Sequence, residues 1–467
     1  MASALIANLS LIVLSLALLP FTTAILLLLT ILLTILHRLR HEPSPPRKTV
    51  AVLVTGVAMA KGLCLARLFH RRGLRVVGVD CSRLAAGRVS ASLDAFHLLP
   101  SPGPSPSSND AYVRAIVHVV RREGLHLCVF VSDVKAAVHD ALASHLIHDT
   151  TAAQTIQLSL SDIQTLDAKD TFASFVSALG LPTPDTRVVT SSVEAIDFLR
   201  QRCGLRQPAR DRYLVKAVGV NDEARFDMPL LPLPTETETL DKLAAIPFAA
   251  EAPFVLQRFV RGPEFCTHAL VVRGRVRAFV ACPSSDLLMH YVALPSDSPL
   301  NRKMLAFTRA VVGPEWTGHV SFDFLLGKDG ELYPIECNPR VHTAVVLFRD
   351  TPQLVDEYLG VLEPERGDDD EVLFPHRPRR YYWVGQDLVE AIFCPLLARH
   401  VTGLADGIVS FARRVCEFRD GAWEAWDPWP WWWLYHVYWP ARFAWMALKG
   451  ERWSRVNVST GKVFRAR

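Results

Sequence analysis

The first 36 residues carry no charged side chain, and residues 25–36 are all leucine, isoleucine or threonine. About 20 apolar residues are enough to span a bilayer, and this run is longer. It predicts a membrane anchor, either one tilted helix bent at Pro20 or a hairpin of two short arms turning near Leu19, Pro20 and Phe21. His37, Arg38, Arg40, Arg47 and Lys48 follow. By the positive-inside rule they hold the rest of the chain on the cytoplasmic side. A cleaved signal peptide fits less well, because there is no basic leading segment and the apolar part is too long. Residues 41–46, HEPSPP, read as a stiff linker.

Beyond the linker the pattern changes to short apolar runs alternating with helical periodicity. A buried-strand run at Thr49–Val54, Gly56, a helix near Ala60–Arg72 and a strand Arg75–Asp80 predict a βαβ unit. The intervening loop TGVAMAKG is neither a dinucleotide fingerprint nor a Walker A motif. A Pro/Ser loop at Pro100–Ser108, a helix Ala111–Glu123 and a strand Leu127–Val131 continue the layer. Asp133 follows a strand end, where α/β sheets place ligands, although a helix N-cap explains it equally well. Asp162–Leu179 reads as one helix with Lys169 inside it, stopped by Gly180, Pro182 and Pro184. Arg212–Ala217 is a short strand carrying Lys216, whose charge implies either an anion or an edge strand. Gly219 follows in a loop that could close over phosphates. Pro253–Phe259 is another strand. Glu264, after a glycine turn, is placed to hold a hydroxyl-bearing ligand, and Cys266–Val272 and Val276–Cys282 form a hairpin turning at Arg273 and Gly274.

The stretch Gly318–His342 holds the densest chemistry. Asp329-Gly330 is a hairpin turn signal between two apolar-rich runs. Counting back from that turn sets Asp323 opposite Glu336 and Ser321 opposite Asn338. Side chains alternate with period two, so these four share one face. The other face carries Val320, Phe322, Phe324, Tyr333 and Ile335, a candidate core. Two carboxylates directly opposite each other repel, so a cation is expected between them. A hard ion such as Mg²⁺ suits carboxylate and amide oxygens. Arg340 falls on the same face and offers a fork for phosphate or carboxylate.

Composition adds three points. The net charge of +4 gives no support for a nucleic-acid partner. The nine cysteines are dispersed without a CxxC pair, which predicts reduced thiols. The C-terminal part is crowded with aromatics, among them Trp429, Trp431, Trp432, Trp433, Tyr435 and Trp439. It predicts either an interfacial membrane helix over Trp432–Leu448 or an aromatic core closing on the body, with Tyr381, Tyr382 and Trp383 packed beside it.

Lys169, Lys216, QRFVRGPE at 257–264, SFDF at 321–324 and IECNPR at 335–340, in this order, resemble the ATP-grasp enzymes over roughly Val50–Phe374. The resemblance implies an α/β fold with a Rossmann-like pre-ATP-grasp domain followed by two lobes that clamp Mg-ATP. Expected domains are an anchor and linker at 1–48, the pre-domain at 49–161, the ATP-grasp domain at 162–375 and an aromatic-rich helical region at 376–467. The resemblance further implies that Lys169 and Lys216 contact phosphates. Gln257, Arg258, Phe259 and Val260 would form the adenine hinge, and Glu264 would bind ribose. Asp323, Glu336 and Asn338 would hold Mg²⁺, with Mn²⁺ as a substitute, and Arg340 would serve the phosphoryl transfer.

The apolar N-terminus, the Cys266-Thr267-His268 run, ECNPRVHTA at 336–344 and the aromatic tail are similar to the mycosporine-glycine synthases. That implies ATP-dependent joining of an amino acid to 4-deoxygadusol. Cys266, Thr267, His268, His342 and Thr343 are then candidates for small-molecule recognition. Rival expectations are an amide or peptide ligase acting on another carboxylic acid, and a non-catalytic membrane-anchored ATP-binding protein. A biotin-dependent carboxylase component is a weaker rival, since no biotinyl-acceptor domain is recognisable.

Overall fold

The computed structural model describes residues 2–40, 49–103, 105–131, 133, 136–218, 228–284, 289–363, 371–397 and 403–465. The expected linker 41–46, Arg47, Lys48 and Gly219 lie outside the described residues.

Strands β1 (Ala51–Thr55), β2 (Arg75–Asp80), β3 (Ala95–Leu98), β4 (Leu127–Val129) and β5 (Gln154–Ile156) form one parallel sheet in the order β3-β2-β1-β4-β5. Helix α1 (Ala2–Arg40) precedes them. Helices α2 (Ala60–Arg71), α3 (Pro106–Glu123) and α4 (Ala137–Thr150) alternate with the strands. β1 is buried along its whole length. Val52 and Val54 enter one core, Ala51 and Leu53 another, as expected of a strand covered on both faces. Gly56 turns the chain from β1 toward α2 at φ +63°, where a Cβ would sit 3.0 Å from the Val131 carbonyl oxygen. Helix α3 begins at Pro106 and not at Ala111. The Ser105 hydroxyl accepts from the Ser108 amide at 3.3 Å, and proline suits the first helical position. Asp133 is exposed past β4, and Ala136 occupies the N-cap of α4 in its place.

The following segment builds two antiparallel sheets. Strands β6 (Thr186–Val189), β7 (Tyr213–Ala217), β8 (Leu230–Leu231) and β9 (Phe254–Arg258) pair in the order β6-β9-β7-β8. β10 (Glu264–Val272), β11 (Arg275–Pro283), β12 (Gly318–Leu326) and β13 (Leu332–Asn338) pair in the order β11-β10-β12-β13. Arg273 and Gly274, both at positive φ, make the expected turn between β10 and β11. Helix α5 (Leu160–Asp167) and helix α6 (Lys169–Ala178) share the apolar core behind this second sheet. The connection from β9 to β10 runs tight over the end of β12: a Cβ on Gly262 would fall 1.7 Å from the Leu326 carbonyl oxygen.

The aromatic tail closes on the body. Residues 429–449 are continuously helical, with a π-turn at Leu434–Tyr438. Leu434, Tyr438, Trp439, Phe443 and Met446 enter the same core as Val52, Val54, Leu270 and Trp383. Trp445 and Leu448 remain exposed. α1 runs unbroken through Pro20, so the two-armed arrangement is not adopted. Hydroxyls of Thr22 and Thr23 bond the carbonyls of Leu18 and Leu19, at 3.0 Å and 2.6 Å, beside the proline. All nine cysteines are free.

Buried charges fasten the tail. Arg67 of α2 donates through Nε to Asp427 Oδ2 at 2.8 Å and also reaches the carbonyls of Ala422 and Asp427. Asp427 further accepts from the Ser90 hydroxyl and the Ala91 amide. Arg349 pairs with Glu424 in the same way. Asp427→Ala leaves the Arg67 charge buried without its partner. It should therefore remove about 3–5 kcal/mol of stability, read as a lower thermal midpoint; an unchanged midpoint would contradict this role.

Candidate active site

The front face of the β10–β13 sheet collects the expected side chains. β12 and β13 pair Asp323 with Glu336 and Ser321 with Asn338, the register counted from the sequence. The route to it differs. The Gly327 amide donates to the Glu331 carbonyl, so the loop holds the three residues 328–330, with Gly330 at φ +78°. A bulge past Asp323 then inserts Ile335, and the two shifts cancel. The bulge alters the faces. Tyr333 and Ile335 do not enter the core; Leu332 and Cys337 do, with Val320, Phe322 and Phe324.

Lys169 opens a second helix instead of lying in the middle of one. The chain leaves helical geometry at Ala168 (ψ 132°), which ends α5 and starts α6 at Lys169. Residues two apart on a continuous helix diverge. Across the break Asp167 and Lys169 both reach β13 and the residues after it. Asp167 Oδ1 accepts from Arg340 at 2.7 Å, and Lys169 Nζ lies 4.0 Å from Glu336 Oε1. Asn338 joins the two halves: its Nδ2 donates to Asp323 Oδ2 at 3.1 Å, and its Oδ1 accepts from Arg340. Two facing carboxylates with a side-chain amide fit a hard divalent ion. Asp323 and Glu336 would be its ligands, and Asn338 would join them once its oxygen exchanges Arg340 for the ion.

Lys216 is brought to Gln257. Its Nζ donates to Gln257 Oε1 at 2.7 Å, and the Gln257 amide donates to the Thr186 hydroxyl at 3.3 Å. Arg258 lies over the Tyr333 ring at 5.1 Å, which ties the end of β9 to the β12–β13 hairpin. Phe259 donates its amide to the Arg212 carbonyl, and Val260 is buried. Glu264 opens β10 with its backbone paired to Leu325.

On β10, Cys266 pairs with Asp323 on one side and with Cys282 on the other, and the two sulfurs are 3.4 Å apart. One row therefore runs Cys282, Cys266, Asp323, Glu336 across four strands. Ligand atoms of Cys266, Asp323 and His342 all lie within 4.8 Å of one another. The hydrogen bond to Cys282, then burial, pushes the Cys266 thiol up. Burial, with His319 and His342 nearby, holds His268 well below its usual range, and burial brings His319 and His342 to about 3. These shifts favour the uncharged forms of Cys266, His268, His319 and His342.

Thr267 does not join it. It alternates to the opposite face of β10, where its hydroxyl accepts from the Phe322 amide at 2.9 Å and braces the strands. Thr343 is buried, with its hydroxyl 3.5 Å from that of Ser459.

Sequence reasoning missed Asp167, Lys61, His319 and Cys282. Asp167 sits two residues before Lys169. Lys61, near the end of the TGVAMAKG stretch, lies in the first turn of α2 and is buried, donating from Nζ to the Val341 carbonyl at 2.8 Å.

Neither a protein-family model nor a curated protein matches the chain. Solved structures do. The biotin carboxylase domain of 2-oxoglutarate carboxylase from Hydrogenobacter thermophilus, solved with MgADP, ADP and bicarbonate, matches at TM-score 0.50 and 15% identity. The match covers 69% of this chain and 71% of that one. N5-carboxyaminoimidazole synthetase from Staphylococcus aureus follows at 0.48 and 13%, over 64% and 72% of the two chains. L-amino acid ligase from Bacillus licheniformis stands at 0.44 and 15%, over 65% and 69%. The first likeness, at 15% identity, is one of fold alone.

Burial, with Arg340 adding repulsion and Asp133 and Asp140 opposing, lowers Lys61 from 10.5 to about 7. Between those values the unfolded chain holds more protons than the folded one, so stability rises with pH across that window. Wild type should gain on the order of 1 kcal/mol per pH unit there, and Lys61→Met should lose this slope. Urea melts of both proteins across the window test it; parallel pH profiles would contradict it.

Proposed function

We propose that the protein is an ATP-dependent ligase that forms a C–N bond through a phosphorylated intermediate. One observation carries the reading: Asp323 and Glu336 face each other on β12–β13, with Lys169 and the Arg340–Asp167 pair converging on them. ATP and Mg²⁺ are the proposed cofactors. Asp323, Glu336 and Asn338 hold the ion, Lys169 and Lys216 meet phosphates, residues 257–260 receive the adenine and Glu264 the ribose. Bound magnesium supplies charge neutralisation between the phosphates and the facing carboxylates.

The chemistry assigned to the chain's own residues is positioning and electrostatics. An oxygen of the small acceptor attacks the γ-phosphorus, the bond to the bridging oxygen breaks, and ADP departs. Arg340, held in place by Asp167, meets the charge on the moving phosphoryl group. An amine then attacks the activated carbon, the C–N bond forms, inorganic phosphate leaves with the electron pair of the C–O bond, and the amine loses a proton. The uncharged wall of Cys266, His268 and His342 suits an enolic or neutral acceptor, because it presents hydrogen-bonding groups without a fixed charge. The preferred substrates are 4-deoxygadusol and glycine, giving mycosporine-glycine, in line with the resemblance of the 336–344 segment. We further propose that the enzyme works at a membrane, attached through α1, with its body on the cytoplasmic side.

Purified protein given ATP, 4-deoxygadusol and glycine should yield the adduct by mass and release phosphate. Phosphate release only with a carboxylic acid and an amine would favour an amide or peptide ligase. Nucleotide binding without phosphate release from any acceptor would favour a non-catalytic role. Glu336→Gln should lower turnover by about a hundredfold or more while leaving the thermal midpoint within a few degrees. Wild-type turnover in that variant would sink the metal assignment.

A further inference from the structure

α1 is 39 residues long, but it is not a loose tether. Its polar residues Asn8, Ser15 and Thr22 recur every seven positions, which keeps them on one side of a helix. All three meet the tail. Asn8 Oδ1 accepts from Trp453 Nε1 at 2.7 Å. Ser15 Oγ donates to the Tyr435 carbonyl at 3.0 Å, and Thr22 Oγ1 lies 2.8 Å from His436 Nε2. Beside it, Thr23 Oγ1 accepts from Trp432 Nε1 at 2.9 Å. Partner numbers fall from 453 to 432 as α1 rises from 8 to 23, so the two segments run antiparallel. The far side of the tail helix is in the core of the body.

Much of the rest of α1 is exposed. Leu5, Leu9, Leu18, Ile25, Leu28 and Ile31 are exposed and spread around more than half of the circumference. A packed partner helix covers one stripe, whereas hydrocarbon covers every side. A second apolar face lies on the helix Leu404–Glu417, which buries none of its residues. Ala405, Ile408, Val409, Ala412 and Val415 are exposed at helical spacing. The inner side of that helix is tied down by Arg414 Nε, 2.6 Å from Asp387 Oδ2. Trp445 is exposed on the tail helix, with Lys449 Nζ 5.0 Å from its ring, a pairing suited to the bilayer interface.

We infer that α1 lies within one leaflet of a lipid bilayer without crossing it, with the Leu404–Glu417 face as a second, shallow contact. The docked stretch cannot enter the membrane core without drawing in the body. Past the buried Leu26 the helix has only residues 27–40 left, about 21 Å at 1.5 Å per residue. The hydrocarbon core is roughly 30 Å thick. The N-terminus therefore stays on the same side as the catalytic body. The inference rests on the proposed membrane attachment and is independent of the ligase chemistry.

The test uses the full chain with an N-terminal epitope tag, in sealed vesicles whose cytoplasmic face is outward. Flotation with the vesicles together with removal of the tag by added protease is the expected result. Flotation with a protected tag means a spanning helix and overturns the inference. Failure to float with vesicles, including phosphatidylcholine–phosphatidylserine liposomes, overturns the attachment itself. An Ile408→Asp, Val409→Asp double variant should bind those liposomes about tenfold or more weakly with an unchanged thermal midpoint. Unchanged binding would remove the second contact.

Discussion

Two carboxylates held opposite each other on neighbouring strands are a standing electrostatic conflict, and the surroundings of Asp323 and Glu336 are arranged to relieve it. Like charges in that position destabilise a sheet. Lys169 approaches Glu336, and Asn338 offers its amide protons to Asp323. Arg340 is close by but is engaged by Asp167 and by the Asn338 oxygen. The protein's own cations thus offset the repulsion in part, and a divalent ion between the carboxylates would complete the balance. The break at Ala168 serves this arrangement, because only a bent backbone points both Asp167 and Lys169 toward β13.

The same front face changes character along its length. Toward the hairpin turn it is charged and aromatic, with Arg258 stacked on Tyr333. Farther along it becomes thiol and imidazole, and burial keeps those groups uncharged. Beyond them it merges into the core shared by β1, α2 and the aromatic tail. Lys61 marks that junction, reaching from the parallel-sheet part to the Val341 carbonyl just after β13. Parts of the chain far apart in sequence thus build one continuous surface, with Arg67–Asp427 and Arg349–Glu424 fixing the tail behind it.

Much of this was legible in the residues, though not always for the reason that made it so. The pairing of Asp323 with Glu336 emerged from a two-residue turn that is in fact a three-residue loop, and the Ile335 bulge restored the count. Nothing in the local sequence marks that bulge, so the placement of Tyr333 could not be read. The break at Ala168 has no proline or glycine to announce it; the residues on its two sides, Asp167 and Lys169, meet Arg340 and Glu336. Periodicity located the helix that carries Lys61 and the strand before it but carries no information on which distant carbonyl Lys61 meets. The seven-residue spacing of Asn8, Ser15 and Thr22 was visible in the apolar run, but its partners lie more than four hundred residues away. The choice for the aromatic tail was open because tryptophan suits both a core and an interface; the structure buries Trp439 in the core and leaves Trp445 exposed.

Manganese can report directly on a divalent ion gripped by the hairpin beneath a nucleotide. Crystals grown with ADP and Mn²⁺ should show one anomalous peak about 2.1 Å from oxygens of Asp323 and Glu336, with the β-phosphate on its far side. A nucleotide bound with no peak there, or a peak held instead by Cys266 and His342, would contradict it.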